Sequence, residues 1–134
     1  MVRRRSRLSR SQDFQRVYRA GRSVANRYMV LYFFPQAADQ AQKETSAGAQ
    51  TARVGFSVSK RLGSSVTRNK VKRLLRESFR SLEGVIKPGF DLVFIARTDL
   101  GPLVEERGLE GVRGKMVEVL RKGSLWSEEG DGRL

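Results

Sequence analysis

The sequence predicts a small single-domain α+β protein, a sandwich in which helices pack on one sheet. Three observations carry this prediction. The 134 residues suit one domain with one core. Apolar residues alternate with period two in two segments and run almost unbroken in a third. Around these segments they recur at helical spacing, giving the order α-β-β-α-β-α.

Residues 1–8 read as a basic tail. Ser9 and Gln12 fit a capping box, with Ser11 as an alternative N-cap. Phe14, Val17 and Tyr18 follow at i, i+3 and i+4, so the first helix is expected over about Arg10 to Ala20. Gly21 is its natural stop.

Tyr28 to Phe34 is rich in aromatic, β-branched and long apolar residues and reads as a strand ended by Pro35. Alternation puts Tyr28, Val30, Tyr32 and Phe34 on one face, and Met29, Leu31 and Phe33 on the other. Residues 36–52 lack an apolar period and read as a long solvated hairpin loop, with a short helix as the second choice.

Arg53 to Ser59 is the second strand, and Lys60 to Ser65 a turn. From Thr67 to Leu82 the period becomes helical, with Val71, Leu74, Leu75, Ser78, Phe79 and Leu82 on the core face. Gly84 and then Pro88-Gly89 end that helix. Phe90 to Ala96 is nearly all apolar, as a central strand buried on both faces requires. The last helix is expected over about Pro102 to Arg121, with Leu109, Val112, Met116, Val119 and Leu120 inward. Gly108, Gly111 and Gly114 weaken its first half, each by roughly 1 kcal/mol against Ala. Residues 123–134 read as a polar tail, frayed over Ser127 to Leu134, with Trp126 suited to docking.

Lys plus Arg number 27 against 14 for Asp plus Glu, a formal charge of +13. Such a field attracts nucleic acid or anionic membrane. No apolar run reaches membrane-spanning length, and the basic N-terminus has no apolar segment behind it, so neither a span nor a secretory signal is expected. A cytosolic location follows. The chain has no Cys and no His. Disulfides, thiol nucleophiles and Cys zinc sites are thereby excluded, and the commonest general base is missing. No catalytic residue and no protein-bound metal or cofactor are expected.

The charge is concentrated. Between Arg53 and Arg80 the only acidic residue is Glu77. Asn69, Arg73, Arg76 and Arg80 are spaced to form one stripe along the second helix, away from its core face, and Arg68 and Lys72 widen it. Most charge runs are solvated helix faces, but those interleave Glu to form i, i+4 pairs. This one does not, which favours phosphate contact through guanidinium forks. Lys60, Arg61 and Gly63 form a basic turn ahead of the helix, a weaker sign of a phosphate site.

The run RVGFSVSKRLGSSVTRNKVKRLLRE resembles the signature of the bacterial ribonuclease P protein subunit, centred on Arg68-Asn69, Lys72-Arg73 and Arg76-Glu77. DFQRVYRAG at 13–21, SVANRYMVLYF at 23–33 and DLVFIAR at 91–97 are similar to the same family. The resemblance spans roughly residues 7–122. Loop 36–52 is longer than the family needs, and the acidic tail lies outside the pattern.

The resemblance implies a four-stranded mixed sheet with three helices and a left-handed β-α-β crossover, against the general right-handed rule. A short fourth strand is then expected between Gly21 and Tyr28. It also implies that the chemistry belongs to an RNA subunit, which uses Mg2+ to remove the 5′ leader of precursor tRNA. The implied partners are that RNA and precursor tRNA, with the protein a monomer in a one-to-one ribonucleoprotein and no membrane involved. Lys60, Arg61, Arg68, Asn69, Lys72, Arg73 and Arg76 would lie by the catalytic RNA and the cleavage site.

Phe14, Tyr18 and Tyr32 would line a cleft for the single-stranded leader, flanked by Ser23, Arg27 and Val30. Spacing alone favours the core for Phe14 and leaves Tyr18 and Tyr32 open. The rival readings are a ribosomal-type structural RNA-binding protein, a DNA-binding protein, and an autonomous nuclease using Asp13, Asp91 or Asp99 with metal.

Overall fold

The computed structural model describes residues 21–36 and 53–127. The expected first helix, the basic tail, the loop beyond residue 36 and the last residues of the polar tail lie outside them.

Four strands form one mixed sheet: β1 (Arg22–Ala25), β2 (Met29–Pro35), β3 (Arg53–Ser57) and β4 (Phe90–Ala96), in the order β1-β2-β4-β3. β1 pairs antiparallel with β2, and β2 antiparallel with β4. β3 runs parallel to β4. The short fourth strand therefore exists where the family resemblance places it. β4 is interior to the sheet, and Asp91, Leu92, Val93 and Phe94 are all buried, which accounts for its nearly unbroken apolar run.

Two helices are present among the described residues, α1 (Ser65–Leu82) and α2 (Leu100–Lys122). Both pack on the same face of the sheet. Met29, Leu31 and Phe33 of β2 point into that layer, as expected, but Tyr28 precedes the strand and packs against the same core, with Lys115 of α2 over its ring, instead of joining the opposite face.

α1 begins at Ser65, earlier than periodicity alone indicates, because the Ser64 hydroxyl accepts a hydrogen bond from the Thr67 amide at 3.3 Å. Its buried residues are Val71, Leu74, Leu75, Ser78, Phe79 and Leu82, the face that the 3.6-residue period selects. Phe79 meets Phe56 of β3 and Phe94 of β4 edge-on, with ring centroids 6.2 and 6.1 Å away. Each such pair adds about 0.5–1.5 kcal/mol beyond its burial. This aromatic triad fixes the roll of α1 about its own axis, and with it the direction of the opposite face.

α2 also starts earlier than expected, at Leu100, and Leu100, Leu103 and Val104 are buried. Leu109 departs from the expectation: it is 39% exposed. The cause is Gly108, whose φ of 59° and ψ of −142° break the helical path. Beyond the break the apolar face is re-phased, and burial resumes at Val112 and continues through Met116, Val119 and Leu120.

The start of the polar tail is packed onto the fold, and residues 128–134 lie outside the described residues. The Leu125 amide donates to the Leu120 carbonyl at 2.9 Å and that of Ser124 to Arg121 at 3.1 Å, closing α2 with Ser124 at φ 59°. Leu125 is buried, and Trp126 bridges to Ile86 under the Arg121 guanidinium, 5.0 Å from the ring. Among the described residues no helix is long and apolar enough to cross a membrane.

Candidate nucleic-acid interface

With its apolar face pinned to the sheet, α1 must turn the opposite face outward. Asn69, Arg73 and Arg80 are exposed, while Arg68, Lys72 and Arg76 are half-buried. Half-burial of this kind leaves the stems on protein and the charged heads in water. Among the described residues no carboxylate forms an ion pair with Arg68, Lys72, Arg73, Arg76 or Arg80, and Glu77 pairs with none of them. Lys70 alone on this helix turns aside, to Glu105 of α2 at 3.6 Å.

The turn ahead of α1 extends the same surface. Lys60–Leu62 forms a 3-10 turn held by buried Leu62 and by the Ser59 hydroxyl, which accepts from the Arg61 amide at 3.3 Å. Lys60 and Arg61 are exposed on it. Gly63, at φ 130° and ψ −156°, makes the bend into the helix. Arg68 Nε donates back to the Gly63 carbonyl at 3.2 Å, tying stripe and turn together. All seven expected basic-motif residues thus lie on one segment, and among the described residues none of the seven forms an ion pair.

The second group of expected residues lies on the other face of the sheet. Ser23 is paired with Tyr32, Tyr32 with Val93, and Val30 with Ile95, so all five side chains share that face. Val93 is buried there, with Tyr32, Phe34 and Ile95 packed around it. Phe14 and Tyr18 lie outside the described residues.

Arg27 is placed differently, on the turn between β1 and β2, where Nε donates to Asp99 Oδ2 at 2.7 Å. That hydrogen bond, reinforced by the Asp99 charge, raises the Arg27 pKa above its ordinary value. The residue that shapes this turn, unforeseen in the sequence, is Asn26. Its Oδ1 accepts from the Tyr28 and Met29 amides at 2.8 and 2.9 Å, and its Nδ2 donates to the Lys115 carbonyl of α2 at 3.0 Å. Asn's habit of bonding its own backbone two residues on was the available signal.

Two of the three carboxylates considered for a nuclease are engaged elsewhere, and Asp13 lies outside the described residues. Asp91 is fully buried and takes a bidentate fork from Arg53, at 2.9 and 2.8 Å. Asp99 faces Arg27. Among the described residues no group of three or more Asp, Glu, His or Cys could hold a metal.

A four-stranded mixed sheet backed by two helices, one carrying an unneutralised basic stripe, defines a small basic α+β protein suited to a polyanion. Comparison with known proteins narrows this class to one family. The Ribonuclease P family model matches residues 2–122. The ribonuclease P protein component of Caldanaerobacter subterraneus subsp. tengcongensis is 39% identical over 124 residues, covering 92% of this chain and 94% of the relative. That of Clostridioides difficile is 43% identical over 91 residues, or 67% of this chain and 70% of the relative. Among solved structures, the Staphylococcus aureus RNase P protein superposes with a TM-score of 0.72 at 31% identity, covering 91% of this chain and 98% of that one. The Thermotoga maritima RNase P protein gives 0.71 at 34%, covering 87% and 96%.

The chain belongs to the ribonuclease P protein family. Its role is that of the protein component of a tRNA-processing ribonucleoprotein endoribonuclease, an accessory subunit.

Proposed function

We propose that this chain binds the catalytic RNA of ribonuclease P through the outer face of α1 and the Lys60–Gly63 turn, and the single-stranded 5′ leader of precursor tRNA through the second face of the sheet. The observation that carries this reading is the set of Arg68, Lys72, Arg73, Arg76 and Arg80 on α1, with which no carboxylate among the described residues pairs. Like charges so close together repel, and a second polyanion brought beside the first repels it in turn. Guanidinium forks placed between two RNAs relieve both costs at once.

Tyr32, with Ser23 and Val30 beside it, offers an aromatic surface on which an unpaired base stacks. Phe14 and Tyr18 complete that cleft from a first helix over Arg10–Ala20. Arg27 flanks it from the hairpin turn, once released from Asp99. The crossover from β3 through α1 to β4 is left-handed in this reading, as the family resemblance implies. The chemistry belongs to the RNA and its Mg2+, and the protein binds no metal or cofactor of its own. It acts as a monomer, one per RNA, in the cytoplasm, as one domain over residues 1–134.

Reconstitution with a bacterial ribonuclease P RNA and a precursor tRNA tests this. The protein should cleave nothing alone and should lower the magnesium concentration at which the RNA cleaves. Cleavage by RNA-free protein would return the nuclease reading. Tight binding to ribosomal RNA without any effect on precursor tRNA would favour the ribosomal-type alternative.

A further inference from the structure

A cavity of about 440 Å3 lies on the helix-covered side of the sheet, against the C-terminal end of α2. It is therefore distinct from both the α1 stripe and the second sheet face. Its volume falls within the range of small-ligand sites, about 300–1,000 Å3. Phe33 and Phe90 wall it, edge to face with centroids 6.3 Å apart, and buried Leu125 adds an apolar side.

Arg22 and Lys87, both exposed, line its mouth. Among the described residues, neither makes an ion pair and no carboxylate lines the cavity. Register puts Arg22 opposite Phe33, so the cation and the ring share a face.

The rim also carries Ser124 at φ 59°, the one non-glycine residue with positive φ among those described. Glycine ends a helix in this conformation at lower cost. Serine adds what glycine lacks, a hydroxyl at the mouth of the cavity.

We propose that this cavity binds one unpaired nucleotide, with its base against Phe33 and Phe90 and its phosphate held by Arg22 and Lys87. An apolar aromatic wall suits the base and excludes water. Two cations at the mouth, with no carboxylate beside them among the described residues, favour an anion over a cation. The Ser124 hydroxyl can accept from or donate to the sugar or base edge. The nucleotide comes either free from solution or from an unpaired position in an RNA. Only the second source rests on the RNA-binding reading above.

The test is an amide NMR titration of the full chain with adenosine 5′-monophosphate, adenosine and inorganic phosphate in parallel. The monophosphate should move the Arg22, Phe90, Ser124 and Leu125 amides in a saturable way, and adenosine should move them more weakly. Lys87→Ala should weaken monophosphate binding about three- to fivefold, as expected for one exposed charge contact, and leave adenosine unaffected. Lys72→Ala, on the α1 stripe, should leave these shifts in place, which separates failure of this site from failure of the RNA-binding reading.

Unmoved cavity amides at about 10 mM monophosphate would overturn the proposal. So would inorganic phosphate reproducing every shift, since the cavity would then be an ion site with no role for the base. The source is read from a photo-crosslinker on Pro88→Cys, unambiguous because the chain has no native Cys. Crosslinking to ribonuclease P RNA or precursor tRNA that the monophosphate competes away assigns the RNA source. Monophosphate binding without a crosslink assigns the free nucleotide.

Discussion

Tyr32 is where two roles for one side chain separate. Its pairing with Ser23 and Val93 places it on the sheet face away from α1 and α2, and its half-buried state leaves part of the ring accessible. A purely packing role predicts that Tyr32→Ala lowers thermal stability and weakens precursor and mature tRNA equally. A leader-stacking role predicts a loss of about 1 kcal/mol or more on precursor tRNA only. The loss should vanish when the leader is trimmed to one nucleotide, because nothing then reaches the ring. Both affinities, measured in the holoenzyme beside the melting temperature, decide between them. Arg53 and Asp91 illustrate the opposite case on the same face. Their buried bidentate pair belongs to the fold, since removing one partner of such a pair leaves an uncompensated charge, at about 3–5 kcal/mol.

At the scale of elements, legibility followed locality. The buried face of α1 was readable because six residues at helical spacing suffice to define it, and the stripe was readable as its complement. β1 was legible only through the family resemblance, not from its own pattern: it is four residues long, two of them exposed, and its register against β2 makes it a strand. Leu109 was misplaced because the helical period was carried straight through Gly108, where the backbone resets it. The pairing of Arg27 with Asp99, 72 residues away, is likewise something no local pattern announces. The cavity beside Phe33 and Phe90 drew on β1, β2, β4 and the end of α2, and was invisible for the same reason.

One local element also joins fold to site. At Gly63 an added Cβ would meet Thr67 only at ordinary contact, 3.4 Å, so space is not the constraint. The backbone is, because φ 130° with ψ −156° is a region that L side chains avoid. Gly63→Ala should therefore cost about 1–3 kcal/mol in chemical denaturation. It should also weaken RNA binding, since the turn carries Lys60 and Arg61 and anchors Arg68. Unchanged stability would mean that the bend tolerates a side chain and that the turn is not held as described.

At the scale of the whole molecule, the +13 charge separates two kinds of binding that a single affinity cannot distinguish. A diffuse field attracts any polyanion, whereas a built interface neutralises a definite number of phosphates. Counterion release counts them: each phosphate contact contributes roughly 0.7 to 0.9 to the slope of log affinity against log salt. Replacing Arg68, Lys72 and Arg76 together with Ala removes three of the heads that α1 holds clear of carboxylates. If all three meet phosphate, the slope should flatten by roughly 2 to 3, with the fold intact by circular dichroism. Triple replacement of Arg107, Arg113 and Arg121, all on α2, removes the same formal charge and serves as the comparison. It should lower affinity only through the weakened general field, with little change in slope. Equal flattening by both triples would mean that position on the molecule is immaterial and that the stripe is solvated surface. Flattening by the α1 triple alone would locate the phosphate contacts on α1.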